Sequence, residues 1–319
     1  MTSPIGICIH GGCGTLDRSL QSEAQWAESR EHLAQSLKAG WRVLKAGGAA
    51  LDAVEAAVRV MEDSPHFNAG YGAALNEASF HELDASIMNG ADLSAGAVCA
   101  ARRIRNPITA ARAVMEKSGC VLLAAEAADA FAERQGLAMV ANSYFTTQQR
   151  IEALASLKQR AQRGTLAAAS EAEKHGTVGA VALDAHGNLA AGTSTGGFNN
   201  KPVGRIGDTP IVGAGTYARN GVCAVSGTGQ GEFFIRSSAA YDIAARMMYA
   251  GKSLEEATDA LVFQTLKGYG IGAGFASIDA AGKVRAPFNT LGMYRGWIGA
   301  DGQMTVATHT EEHPLGAVA

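Results

Sequence analysis

Two threonines and a glycine stand where they could carry acyl-transfer chemistry: Gly176-Thr177 opens a stretch that reads as a β-strand, and Thr195 closes the next one. A threonine hydroxyl is a weak nucleophile until a base lies beside it. One solution uses the residue's own α-amine, freed when the preceding peptide bond is cut. That amine has an ordinary pKa of about 7.7 to 8.0, so it accepts a proton near neutral pH, which a peptide nitrogen cannot do. The arrangement needs a threonine at the head of a strand, a segment before it that can leave, and a glycine at the scissile position to tolerate a strained carbonyl. Thr177 meets all three requirements. On its own, Gly-Thr-Val is far more often a β-branched residue opening a strand, so the weight falls on the surrounding sequence.

A second constellation is Gly204-Arg205-Ile206-Gly207-Asp208. An amino acid's α-carbon carries one carboxylate and one ammonium, and a site reading both needs a cation and an anion a few ångströms apart on a backbone that lets the ligand come close. Arg205 and Asp208 supply the charges, and Gly231 would leave the approach clear of a side chain. The bland alternative is an Arg205–Asp208 surface ion pair, which contributes little.

Other chemistries find no support. There is no P-loop, H-E-x-x-H, G-x-S-x-G or EF-hand loop, and the eight histidines lie apart in sequence. Two G-x-G-x-x-A strings, at 213–218 and 268–273, lack the strand, turn, helix context that seats a pyrophosphate. The net charge of −3, without a basic run, gives nucleic acid no handhold. The five cysteines are odd in number, widely spaced and without a C-x-x-C pair, which argues against a disulfide framework or a zinc site and for small core residues. No stretch reads as a secretory signal or a membrane helix, and the expected location is the cytoplasm.

The elements that must position these residues follow from pattern. With 47% hydrophobic residues the chain can bury a large core, and 39 glycines against 7 prolines, without a repeat period, point to tight turns and close backbone approaches. PIGICIH (4–10) reads as a strand entering a glycine-rich turn, HGGCGT (10–15). Leu51, Val54, Val58 and Met61 place one stripe on a helix that ends near Ser64-Pro65. A further helical region covers about 108–136, and the polar, Ala-rich segment 156–176 reads as a solvated linker. Beyond it the period changes to two: 178–184 and 189–195 form a hairpin and 221–226 another strand. Two helices follow, one through 232–250 and one opening with the capping box Ser253-x-x-Glu256 and stopping at Gly268. Residues 275–288 and 297–308 read as two late hairpins. This order fits the α+β class, antiparallel sheets with segregated helix layers, better than regular βαβ alternation.

HGTVGAVALD (175–184) resembles the processing site of the plant-type asparaginases, or isoaspartyl peptidases, within the N-terminal nucleophile (Ntn) hydrolases. The likeness extends to HGGCGT (10–15), FNAGYGAALN (67–76), HELDASIMNG (81–90), RNP (105–107), STGGFNNKPVGRIGDTPIVGAGTYA (194–218), SGTGQGE (226–232) and PFNTLGMYRGW (287–297), in family order, over nearly the whole chain outside the linker.

The resemblance implies a single Ntn-hydrolase domain, an αββα sandwich of two stacked, mainly antiparallel sheets between helix layers. It implies self-cleavage between Gly176 and Thr177 into an α subunit (1–176) and a β subunit (177–319), two such units forming a dimer. Thr177 matches the nucleophile, Thr195 the second threonine that orients it, Thr228 and Gly229 the oxyanion site, and Asn68 an asparagine lining the same pocket. Arg205, Asp208, Thr228, Gly229 and Gly231 match substrate-binding positions. The segment Met61 to Tyr71 resembles a loop that wraps a structural sodium ion with main-chain carbonyls, here those of Met61, Glu62, Ser64, Phe67, Ala69 and Tyr71; no cofactor is required for the chemistry. The implied reaction releases L-aspartate from β-aspartyl dipeptides and L-asparagine.

Three departures stand out. Cys13 replaces the family's more frequent alanine in the turn that supports self-cleavage, Leu291 replaces an often acidic residue and is placed to tune substrate preference, and His175 is a variant seen in plant members, with no role assigned. Glycosylasparaginase shares the fold but typically has aspartate before the threonine; threonine aspartase is disfavoured by the same Gly176. A non-catalytic binding protein that kept the fold would have lost Thr177, Thr195 or Arg205, and all three remain.

Overall fold

The structure, a computed structural model of the 319-residue chain, describes residues 4–14, 16–163 and 176–318. Strand β1 (Gly6–Gly14) leads through a short 3-10 turn to helices α1 (Glu23–Lys45) and α2 (Ala50–Glu62). Strands β2 (Leu83–Asn89) and β3 (Ala95–Ala101), helix α3 (Pro107–Lys117), strand β4 (Leu122–Ala124), and helices α4 (Ala125–Arg134) and α5 (Gln148–Gln162) follow. Next come β5 (Val178–Leu183), β6 (Leu189–Thr195), β7 (Thr216–Arg219), β8 (Cys223–Gly229), and helices α6 (Gly231–Ser237), α7 (Ala239–Ala250) and α8 (Leu254–Asp259). After a π-helical turn over 260–266 the chain ends in β9 (Ala273–Asp279), β10 (Val284–Arg285), β11 (Gly292–Ile298), β12 (Gln303–Ala307) and β13 (Glu312–Ala317).

Nine strands form one sheet in the order β13-β12-β11-β1-β5-β6-β2-β3-β4, and four form another, β10-β9-β8-β7. Every named pairing is antiparallel except β3 with β4. Period-two alternation sends Val178, Ala180 and Ala182 of β5 into one core with Leu33, Leu37, Val54, Val58 and Ile108 of the helices. Val181 and Leu183 point the other way, into a second core with Ala224, Val225, Phe275 and Ile278 of the smaller sheet and Phe234 and Ile243 behind it. Each Val, Leu, Ile or Phe side chain among them contributes about 1.5 to 3 kcal/mol when fully buried. The chain is therefore α+β, and β1, β5 and β6 sit at its centre, buried on both faces. No helix of the described residues is long and apolar enough to cross a membrane.

Several expectations are corrected. HGGCGT is no turn: β1 runs on to Gly14, with its register against β11 shifting between His10 and Gly12. The helical region expected over about 108–136 is two helices, broken after Lys117, where the chain crosses to pair β4 beside β3. The linker expected over 156–176 is helical to Gln162, because Leu154 and Leu157 give α5 a buried side. Residues 164–175 of that segment, His175 included, lie outside the described residues. The helix expected over 232–250 is two, divided at Ser238 with φ 46°. Helix α1 was not anticipated, although Ser22 and Gln25 form a capping box at its start and Leu33, Leu37 and Leu44 line its buried face.

Candidate active site

The eighteen-residue spacing of the two threonines is a register. In the β5–β6 hairpin Val178 pairs with Ser194, which sets Thr177 opposite Thr195 one step beyond. Side chains opposite one another share a face, and the Thr177 and Thr195 hydroxyls lie 3.2 Å apart, both residues being buried.

Three donors converge on the Gly176 carbonyl oxygen: Thr177 Oγ1 at 2.8 Å, Thr195 Oγ1 at 2.9 Å and Asn68 Nδ2 at 2.8 Å. Asn68 comes from the loop after α2. Its Oδ1 accepts from the Ala74 N–H at 2.6 Å, which fixes the amide so that Nδ2 faces the carbonyls of Gly176 and Gly197. Gly176 itself has no left-handed φ; what glycine provides here is room, since a Cβ would stand 3.0 Å from Asn68 Cβ.

Beneath Thr177, His10 Nδ1 lies 3.0 Å from the Thr177 carbonyl and Nε2 lies 2.8 Å from Ser226 Oγ. Burial pushes the His10 imidazole down to about 3, so the ring is neutral and donates from Nδ1. Ser226 continues through Thr193 and Thr216 to Ser86, a seam of hydroxyls between the two sheets.

At the end of β8, Gly229 joins Thr177, Thr195, Arg205 and Asp208 in the wall of one small cavity. Thr228 Oγ1 accepts from the Cys13 N–H at 3.4 Å, and Cys13 Sγ lies 3.3 Å from the Thr228 carbonyl, so the departure at position 13 touches the strand that carries Thr228 and Gly229. Leu291 is exposed.

Arg205 does not pair with Asp208. Its guanidinium makes two 2.9 Å bonds to the Glu232 carboxylate and lies 4.7 Å over the Phe198 ring. Asp208 is buried, its Oδ2 has no hydrogen-bond partner among the described residues, and burial raises its carboxyl to about 7 despite the nearby Arg205 charge. Gly231 explains how closely these groups meet: a Cβ there would lie 2.7 Å from Asp208 Oδ1 and 3.0 Å from Arg205 Nη2. The loop is held from behind, where Glu82 accepts from the Gly204 N–H and its carbonyl accepts from buried Lys201 Nζ at 2.9 Å.

Sequence reasoning missed Glu232, Glu82, Lys201 and the role of His10. Glu232 stands inside a quoted motif, yet nothing in its spacing ties it to Arg205, 27 residues away.

The segment from Met61 to Tyr71 closes on itself, with the Tyr71 N–H donating to the Glu62 carbonyl at 2.7 Å and the Ser64 N–H to that of Met61 at 3.2 Å. A Cβ on Gly72 would fall 2.9 Å from the Pro65 carbonyl oxygen and 3.0 Å from that of Phe67. The loop thus gathers main-chain oxygens of the kind a hard cation takes. Glu62 is buried; its Oε1 accepts from the Ile108 N–H at 2.9 Å and from Ser194 Oγ at 2.7 Å, linking α2 to α3 and β6.

Two sheets with helices, and a threonine pair at the mouth of the central hairpin under a shared carbonyl, define the class of threonine-based Ntn-type hydrolases. The chain belongs to the asparaginase family, which it matches over residues 2–308. It is 47% identical over 311 residues, 96% of both chains, to the isoaspartyl peptidase of Escherichia coli. It is 40% identical over 94% of this chain and 98% of the relative to a probable isoaspartyl peptidase/L-asparaginase of Arabidopsis thaliana. A mouse isoaspartyl peptidase/L-asparaginase is 45% identical over 83% of this chain and 79% of its own length.

Proposed function

We propose that this protein is a self-processing threonine amidohydrolase that releases L-aspartate from β-aspartyl dipeptides and L-asparagine. The observation that carries the reading is the clustering of Thr177, Thr195 and Asn68 around the Gly176 carbonyl oxygen. In the uncut chain, Thr177 Oγ1 attacks the Gly176 carbonyl carbon while Asn68 Nδ2 and Thr195 Oγ1 hold the developing oxyanion. The acyl group moves from nitrogen to oxygen as the hydroxyl proton passes to the Thr177 nitrogen and the Gly176–Thr177 C–N bond breaks. Water then opens the ester, restoring the hydroxyl, freeing the Gly176 carboxylate and leaving the α-amine of Thr177. That amine is the base for the second reaction. The substrate's β-carbonyl is attacked by Thr177 Oγ1 as Thr195 orients it; Thr228 and Gly229 take the oxyanion, the amine leaves, and water opens the β-aspartyl ester.

Recognition falls to Arg205, held in its fork geometry by Glu232, for the α-carboxylate, and to Asp208 for the α-ammonium. Asp208 Oδ2, buried and without a partner among the described residues, supports this assignment, since it can accept from an ammonium.

The same reading assigns a single αββα Ntn sandwich, supported by the packing of the two sheets' inner faces into one core. It assigns an α subunit ending at Gly176, a β subunit beginning at Thr177, a dimer of such units and a cytoplasmic location. A sodium ion held by the carbonyls of the Met61–Tyr71 loop would brace that loop and take no part in bond making. Asn68 lies within it.

The test is a gel and an assay. The purified protein should resolve into two fragments, the smaller beginning at Thr177, and should hydrolyse β-aspartyl-leucine; Thr177→Ala should stay in one piece and be inactive. An uncut protein with full activity would sink the proposal.

A further inference from the structure

The eight histidines are scattered in sequence, but the fold brings two of them together. On α1, Glu28 and His32 are four residues apart and share one helix face. His66, from the loop after α2, lies across that face: its ring centroid is 4.6 Å from that of His32, and its Nε2 is 3.5 Å from Glu28 Oε1. One ligand atom from each of the three residues can be chosen so that all lie within 4.8 Å of one another.

We propose that Glu28, His32 and His66 form a binding site for a divalent transition-metal ion of the zinc class. Two imidazoles and one carboxylate are the donor set that zinc takes at three-ligand sites, with a fourth position left for water. Metal–ligand bonds of about 2.0 to 2.2 Å need ligand atoms roughly 3.5 Å apart. The His66–Glu28 pair already meets that spacing. The remaining contacts, within 4.8 Å, close by about 1 Å of movement through rotation of exposed Glu28 and of half-buried His32 and His66.

The ligands here are side chains, which separates this site from the carbonyl set assigned to sodium. The two nevertheless share a segment. His66 directly precedes Phe67 and Asn68, and His66 and Asn68 both line a cavity of about 250 Å³ beside Gly176. A bound ion fastens this loop to α1, so metal occupancy bears on the stability of the segment that carries Asn68.

Zinc binding to the full-length, processed protein after chelator treatment is measured by calorimetry, and the site is probed with Co²⁺. The expected result is one Zn²⁺ per chain. The unfolding temperature should rise by several degrees at about 100 times the dissociation constant. The Co²⁺ form should show visible d–d bands with no thiolate charge-transfer band. His32→Gln and His66→Leu should each weaken binding at least about tenfold, since each removes one of three ligands, and Glu28→Gln should weaken it less. Because His66 adjoins Phe67 and Asn68, His32→Gln is the cleaner variant and decides the matter if His66→Leu fails to fold. The proposal fails if Zn²⁺ does not bind, if the His32→Gln protein binds it as tightly as the parent, or if a thiolate band places the ion on a cysteine such as exposed Cys120.

Discussion

Asn68 donates its side-chain amide to the carbonyl of Gly176 across 108 residues of sequence, at 2.8 Å, and the Ala74 N–H holds that amide the right way round. The contact joins a loop of the future α subunit to the bond that would be cut to make it. In the proposed self-cleavage it would give Asn68 a part as well as a place in the pocket.

Asn68→Asp keeps the acceptor for Ala74 and loses the donor to Gly176. Removing one oxyanion donor typically costs about 100- to 1000-fold in rate. Self-cleavage of Asn68→Asp, followed on denaturing gels, should slow by that order, and Thr195→Ala should slow it comparably. Cleavage at the parent rate in both variants would remove the oxyanion role assigned to this pair.

Arg205 and Glu232 form a planar, two-bond fork whose arginine side chain is only 13% exposed. Lysine keeps the charge and loses the fork, so Arg205→Lys should raise KM by about 10- to 100-fold while kcat changes little. Glu232→Gln should raise KM by a smaller factor, through the arginine it positions. The effects should be non-additive in the double variant. A Glu232→Gln enzyme with parental KM would reduce the pair to a surface contact.

How much of this was legible in the sequence varies with the range of the forces involved. The β5–β6 hairpin, the α2 stripe and the Ser253 capping box are local patterns and stand where their residues placed them. The break at Ser238 and the extension of β1 through Gly14 were not legible. The first depends on one residue adopting a left-handed φ inside an Ala-rich run, and the second on β11 pairing across the chain, Gly14 with Gly292. Thr177, Thr195, Arg205 and Asp208 could be singled out by type and spacing, and the fold brings them to one cavity. Glu232, Glu82 and His10 could not be tied to them, because each reaches its partner only through tertiary packing.

As the proposed ammonium site, Asp208 should make substrate binding depend on pH. Burial raises its carboxyl to about 7, so below that value the free protein holds a proton there. An incoming ammonium favours the carboxylate and expels it. Binding of L-aspartate near pH 6, measured by calorimetry in buffers of different ionisation enthalpy, should release close to one proton; above pH 8 the release should vanish. Asp208→Asn should abolish it. Identical proton release in that variant would assign the proton elsewhere.

Glu62 is a second buried carboxyl, raised to about 8 by desolvation, against an ordinary 4.5, and only partly offset by its bonds from Ser194 and Ile108. A group whose folded pKa lies above its unfolded value keeps its full contribution to stability below the unfolded pKa. That contribution is lost as pH rises toward the folded pKa, because unfolding then releases a proton. For Glu62 the window runs from about 4.5 to about 8. Buried Asp208 acts with the same sign. Glu62→Gln leaves an acceptor for the Ile108 N–H and for Ser194 Oγ but nothing to ionise. Its unfolding temperature should fall less steeply than that of the parent between pH 5 and 8, and the two curves should differ most at the alkaline end of that window. Glu62 joins the Met61–Tyr71 loop to α3 and to the strand carrying Thr195. Curves of equal slope would show that Glu62 carries no such proton.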